Sequence, residues 1–155
     1  MAYWRRRISN TFLAAWKHAK KPFPTIRNIF YVVHSSADAL AHLSRFSNYS
    51  RDVWSRDLLD ERIFKRNIPS FACLEADGYA SRKGNKDKLK SIILNHVVLG
   101  RTHLTRQVDH NMQHAPDIYN SVTGATVEEG GTLQYHEAVV YREDAMCASA
   151  VIFYQ

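Results

Sequence analysis

The chain has 155 residues, 45% of them apolar and 23% charged, with a formal net charge of +6. That is the length of one domain with one core, and the composition excludes disordered and collagen-like classes. No apolar run reaches the length of a membrane-spanning helix. Cys73 and Cys147 are far apart and form no C-x-x-C pair, so both are expected as reduced, buried small hydrophobes. The N-terminal run "ISNTFLAAW" is interrupted by Ser9, Asn10 and Thr11 and followed by Lys17, His18 and Lys20, which does not suit a signal peptide. The expected location is intracellular, cytoplasmic or nuclear. Of the 21 Lys and Arg, seven fall in residues 1–28, which hold no acid; the remaining 14 face 15 acids, so the excess charge belongs to the N-terminus.

In chain order, Trp4, Ile8, Phe12, Ala15, Trp16 and Ala19 recur at three- and four-residue spacing. They predict an amphipathic helix within residues 1–28, stopped by Pro22 and Pro24. Its basic face suits first a surface helix docked by two tryptophans; contact with nucleic acid or an anionic surface, or a transit segment, are the alternatives. "IFYVV" (29–33) reads as a strand. Ser35 or Ser36 then caps a helix facing Leu40, Leu43 and Phe46 inward, and a second helix is predicted over 51–66, where Trp54, Leu58, Leu59 and Ile63 share a side. "SRKGNKDKLK" (81–90) reads as a solvated loop. "SIILNHVVLG" (91–100), "IYNSVTG" (118–124), "YHEAVVY" (135–141) and "ASAVIFY" (148–154) read as strands. Helices precede strands, so the fold class is α+β, with an antiparallel β-rich core over residues 29–155.

Several constellations bear on chemistry. His110 and His114, with His103 nearby, have the i, i+4 spacing of a zinc pair, but Pro116 and the intervening "NMQ" favour a loop, and no metal is expected. His34, Ser35, Ser36 and Asp38 contain the residue types of a hydrolase triad in a contiguous string, where a helix cap beside a strand-end histidine is the plainer reading. No Gly-rich phosphate loop is present. Glu137 stands at the mouth of a strand whose Ala138, Val139 and Val140 are expected to be buried, which would give a carboxylate rigidity and partial desolvation.

Three runs occur in a telling order: "LNHVVLGR" (94–101), "HAPDIYNSVTG" (114–124) and "GGTLQYHEAVVYREDAMCASAVIFY" (130–154). Together they resemble the C-terminal half of the poly(ADP-ribose) polymerase catalytic domain. Asn120-Ser121-Val122 stands for that family's Asp-Ser-Val, and Glu137 through Tyr141 for its glutamate strand. Upstream, "WKHAKKPFPTIRNIF" (16–30) is similar to the entry of the fungal-type branch. The resemblance implies an ADP-ribosyltransferase-like fold and NAD as substrate, with Glu137 as the catalytic carboxylate acting on a protein or other acceptor. "ADGYA" (76–80) is similar to the family's Ser-x-x-Tyr, with Ala76 in place of serine and Tyr79 as the ring that would stack on nicotinamide.

The family's Gly-Lys-Gly turn and His-Gly-Thr motif are not legible in residues 46–75. In one register "VVHSS" is a degenerate His-Gly-Thr and His34 binds NAD. In the other, the Trp16–Arg27 match fixes the alignment and the histidine segment is deleted. Two functions follow: a mono- or poly(ADP-ribosyl) transferase using Glu137 and Tyr79, or a catalytically inactive relative acting as a binding or structural module through its basic N-terminal helix.

Overall fold

The computed structural model describes residues 2–16, 22–57, 89–134 and 136–155. It is an α+β protein whose described residues fall into two compact units. The first draws on Met1–Val33, Pro69–Asn95 and Ala148–Gln155, the second on His34–Ile68 and His96–Cys147. Each has its own buried cluster, so the single core expected from length is two among the described residues.

In the first unit, helix α1 (Ala2–Ala15) sets Trp4, Ile8 and Phe12 one turn apart. Phe12 is fully buried with Ile29, Ile92, Leu94, Ala150, Ile152 and Tyr154, and Trp4, Ile8, Leu13 and Trp16 pack on the same cluster. The Phe12 and Trp16 rings lie 5.2 and 5.8 Å from that of Tyr154, which is the range of favourable tilted and edge contacts. Arg5, Arg6 and Arg7 are exposed. The helix ends at Ala15, ahead of the expected proline stop, where the Trp16 N–H turns back to the Leu13 carbonyl at 3.2 Å.

Strand β1 (Ile26–Tyr31) pairs antiparallel with β6 (Met146–Tyr154), from Ile26 opposite Tyr154 to Tyr31 opposite Ala150, with a bulge between Ile26 and Asn28. It begins before the predicted "IFYVV" because pairing is secured beyond Ile26. The Thr25 and Gln155 backbones exchange both hydrogen bonds, at 2.9 and 3.0 Å, and the Arg27 guanidinium donates to the Gln155 side-chain carbonyl. The sheet order is β1-β6-β2, with β2 at Lys90–Val97. The period-two burial of Ala150, Ile152 and Tyr154, and of Lys90, Ile92 and Leu94, follows from strands covered on one face.

In the second unit, helix α2 (Ala37–Asp57) is continuous where two helices were predicted. Residues Ser47 to Ser50 contain neither Gly nor Pro, and Tyr49 and Val53 turn inward on the same face as Phe46 to meet Val98 and Ala145. Ser36 Oγ accepts the Ala39 N–H at 3.1 Å, the N-cap expected of it. The proposed extension of this helix to residue 66 lies outside the described residues.

A second sheet has the order β3-β4-β5, formed by Thr102–Thr105, Ser121–Gly124 and Glu137–Val140. Strands β4 and β5 are antiparallel, but β3 runs parallel to β4, which corrects the expectation of an antiparallel core. The connection Arg106–Asn120 is long enough to return the chain to the same end of the sheet, as parallel pairing requires. Thr102 and the fully buried Ser121 seal the pair through their hydroxyls at 2.8 Å.

Candidate functional site

Glu137 opens β5 opposite Gly124 of β4 and is half-buried. The strand alternation puts Glu137, Val139 and Tyr141 on one side. There they line a hollow of about 170 Å³ together with Val122, Gly124 and Leu133. Gly124 lets Leu133 pack close against the strand, and a Cβ there would make the Leu133 side chain shift. The expected burial of Ala138, Val139 and Val140 is not found. Ala138 is exposed, Val139 is 48% exposed and Val140 is half-buried. Among the described residues β5 pairs with β4 alone, which makes it an edge strand there.

Of the other predicted site residues, the described one, His34, does not line the hollow with Glu137. His34 follows β1 and is half-buried, with Nε2 3.5 Å from the sulfur of Cys147. Cys147 is buried, and burial pushes its thiol pKa up, so the pair does not supply a thiolate nucleophile. Tyr79, with the rest of "ADGYA", and Cys73 lie outside the described residues.

The histidines of the zinc reading are also separate. The His103 ring meets Tyr119 edge-on at 5.1 Å, His110 is exposed, and His114 Nδ1 donates to the Ala115 carbonyl at 3.0 Å. Among the described residues no three His, Cys, Asp or Glu come together as a metal site. Ser36 is engaged as the α2 cap, which accounts for the triad-like string.

A second and larger cavity, of about 540 Å³, was not anticipated. Tyr49 and Asp52 of α2, Arg101 ahead of β3, His114 through Asn120 on the long connection, and Tyr141 and Arg142 after β5 surround it. Its walls are fixed by hydrogen bonds. Gly100 at φ +55° leaves room for Asn120, whose Oδ1 accepts the Arg101 N–H at 3.0 Å while Nδ2 donates to the Tyr49 hydroxyl at 3.4 Å. Arg142 donates through Nε and Nη2 to the two carboxylate oxygens of Asp144, both at 2.8 Å, and its guanidinium lies 4.3 Å from the Tyr49 ring centroid. Arg142 binds its proton more tightly than usual because of Asp144, and Asp144 is held below the usual carboxylate range by Arg142. These residues come from four segments with no shared periodicity. Several lie within the motif runs, but nothing in those runs marked them as the walls of one cavity.

No family model and no curated protein matches the chain. The functional reading therefore rests on its own residues and on the order of its motifs. Among the described residues, no helix is long and apolar enough to cross a membrane.

Proposed function

We propose that the chain is an NAD-dependent ADP-ribosyltransferase of the poly(ADP-ribose) polymerase type, with Glu137 as its catalytic carboxylate. The observation that carries this reading is the half-buried Glu137, which starts a strand, lines a hollow and faces Gly124 on the strand that begins with Ser121-Val122, within the motif order that the family shares. In the reaction the bond between nicotinamide and ribose breaks, and its electron pair leaves with nicotinamide. Positive charge then develops on the ribose, as in glycoside cleavage. A carboxylate hydrogen-bonded to the ribose 2-hydroxyl holds that charge more strongly in the transition state than in the ground state. The acceptor oxygen or nitrogen forms the new bond to ribose, and its proton passes to Glu137 or to water. By the resemblance, Tyr79 stacks on nicotinamide. NAD is a substrate here, and no metal takes part. The exposed Arg5, Arg6 and Arg7 of α1 support a role for that helix in holding a protein acceptor, a nucleic acid or an anionic surface. A cytoplasmic or nuclear location suits such acceptors.

One observation favours a second reading, a catalytically inactive relative that serves as a binding or structural module. The hollow at Glu137, about 170 Å³, is smaller than the roughly 300–1,000 Å³ typical of small-molecule sites. Calorimetric titration of the full chain with NAD separates the two when run beside a nicotinamide-release assay on the native protein and Glu137→Ala. Binding with release that Glu137→Ala abolishes supports the transferase. The inactive module predicts no release from either protein.

A further inference from the structure

The 540 Å³ cavity lies within the roughly 300–1,000 Å³ range of sites that hold small organic ligands, and its lining is chemically mixed. It offers two guanidinium groups, three tyrosines and one exposed aliphatic side chain. Arg142 is already engaged by Asp144 in a fork of two bonds. Arg101 differs: it is exposed, and among the described residues no carboxylate pairs with its guanidinium. An arginine at a concave wall presents a planar set of donors matched to phosphate or carboxylate oxygens. His114 donates its Nδ1 proton to Ala115, which in the neutral ring leaves Nε2 as an acceptor.

The rim adds an independent sign. Pro116 and Tyr119 close a four-residue turn, with the Tyr119 N–H donating to the Pro116 carbonyl at 3.0 Å, and Ile118 sits at φ +71°. That position of a type II turn normally takes Gly or Asn, and a β-branched residue there is strained. Such strain concentrates where a ligand is held. Here it serves to display an isoleucine that is 72% exposed at the cavity edge beside Tyr119. An apolar side chain, an aromatic ring and a cation in one lining suit a ligand that is flat at one end and anionic at the other.

We propose that this cavity is a binding site for a nucleoside monophosphate, with its phosphate on Arg101 and its base against Tyr119 and Ile118. The proposal does not depend on Glu137 being catalytic. Tyr141 lines both hollows, but Arg101, Tyr119 and Ile118 line only this one.

The test is calorimetric titration of the full chain with AMP, inorganic phosphate and adenosine as separate probes, repeated on Arg101→Gln, Ile118→Gly and Glu137→Ala. Thermal melts confirm that each variant is folded. AMP is expected to bind the native chain more tightly than either phosphate or adenosine. Arg101→Gln should weaken it at least about tenfold, the cost of one charge-assisted hydrogen bond. Ile118→Gly should weaken it less, and Glu137→Ala should leave it unchanged. The proposal is overturned by absence of AMP binding, by equal affinity for phosphate or adenosine, by indifference to Arg101→Gln, or by loss on Glu137→Ala, which would put AMP in the other hollow.

Discussion

Replacing Asp144 by asparagine tests how the larger cavity is held. In the native chain Arg142 makes two parallel bonds of 2.8 Å to the carboxylate, and the Asp144 side chain is 19% exposed against 57% for Arg142. Asn keeps one acceptor oxygen but turns an amino group toward the guanidinium and removes the charge. An exposed ion pair contributes about 0.2–1 kcal/mol, whereas hydrogen bonds to charged groups reach about 1.5–3 kcal/mol. The exposure of Arg142 argues for the lower part of that span, and the two-bond geometry with a sheltered carboxylate raises it. A loss of about 1 kcal/mol is expected at neutral pH. Because Arg142 depresses the folded-state pKa of Asp144, this stabilisation is fully present above the unfolded value of about 3.9. It disappears as pH falls through the lower folded value. Urea unfolding of native and Asp144→Asn chains, followed by circular dichroism from neutral pH into strong acid, should show a gap that closes in acid. Equal stability at neutral pH, or a gap that persists unchanged below both pKa values, refutes the reasoning.

Other perturbations probe separate parts. Phe12→Ala removes a fully buried ring that touches Trp16 and Tyr154, and should cost about 3–5 kcal/mol in denaturant unfolding; a loss below about 1 kcal/mol contradicts the docking of α1. Ile118→Gly relieves the positive φ and should raise stability by about 1 kcal/mol after the added freedom of the unfolded chain is counted, so a lower midpoint speaks against strain at that turn. Gly100→Ala should destabilise by about 1–2 kcal/mol, since its Cβ would meet Asn120 Oδ1 at 2.6 Å in a left-handed backbone; an unchanged unfolding midpoint counts against that crowding. Cys147 is buried with a raised pKa, and peptide mass mapping after iodoacetamide treatment should find it unlabelled in the folded chain and labelled in urea.

Much of the secondary structure was legible because periodicity survives packing. The three- and four-residue spacing of Trp4, Ile8 and Phe12 is the face that α1 buries, and the alternation in residues 148–154 is the burial of β6. Strand β3 was missed because Thr102 to Thr105 is short and has no alternation of strong hydrophobes. Its parallel pairing depends on how the long connection returns, which local pattern does not encode. The split of α2 was an error of emphasis: Asn48 and Ser50 are weak helix formers, and the inward turn of Tyr49 outweighs them. The Thr126-x-x-Glu129 signature could have been read directly, because Glu129 accepts the Thr126 N–H at 3.0 Å around a short 3₁₀ turn. At the site, Glu137 at a strand mouth was recoverable from composition and order, but the exposure of Ala138 and Val139 was not. Apolar residues mark a strand without saying that it is an edge. The Arg101, Asn120 and Arg142 cavity joins segments distant in sequence, and only the fold brings them together.

We have proposed that Glu137 drives transfer of ADP-ribose from NAD. Its most direct test uses NAD labelled in the nicotinamide ring or in the adenine ring, incubated with the native chain and with Glu137→Ala. Under the transferase proposal, free labelled nicotinamide and acceptor-bound adenine label are expected from the native chain, and neither from the variant. Equal release by both proteins, or none from either, contradicts it.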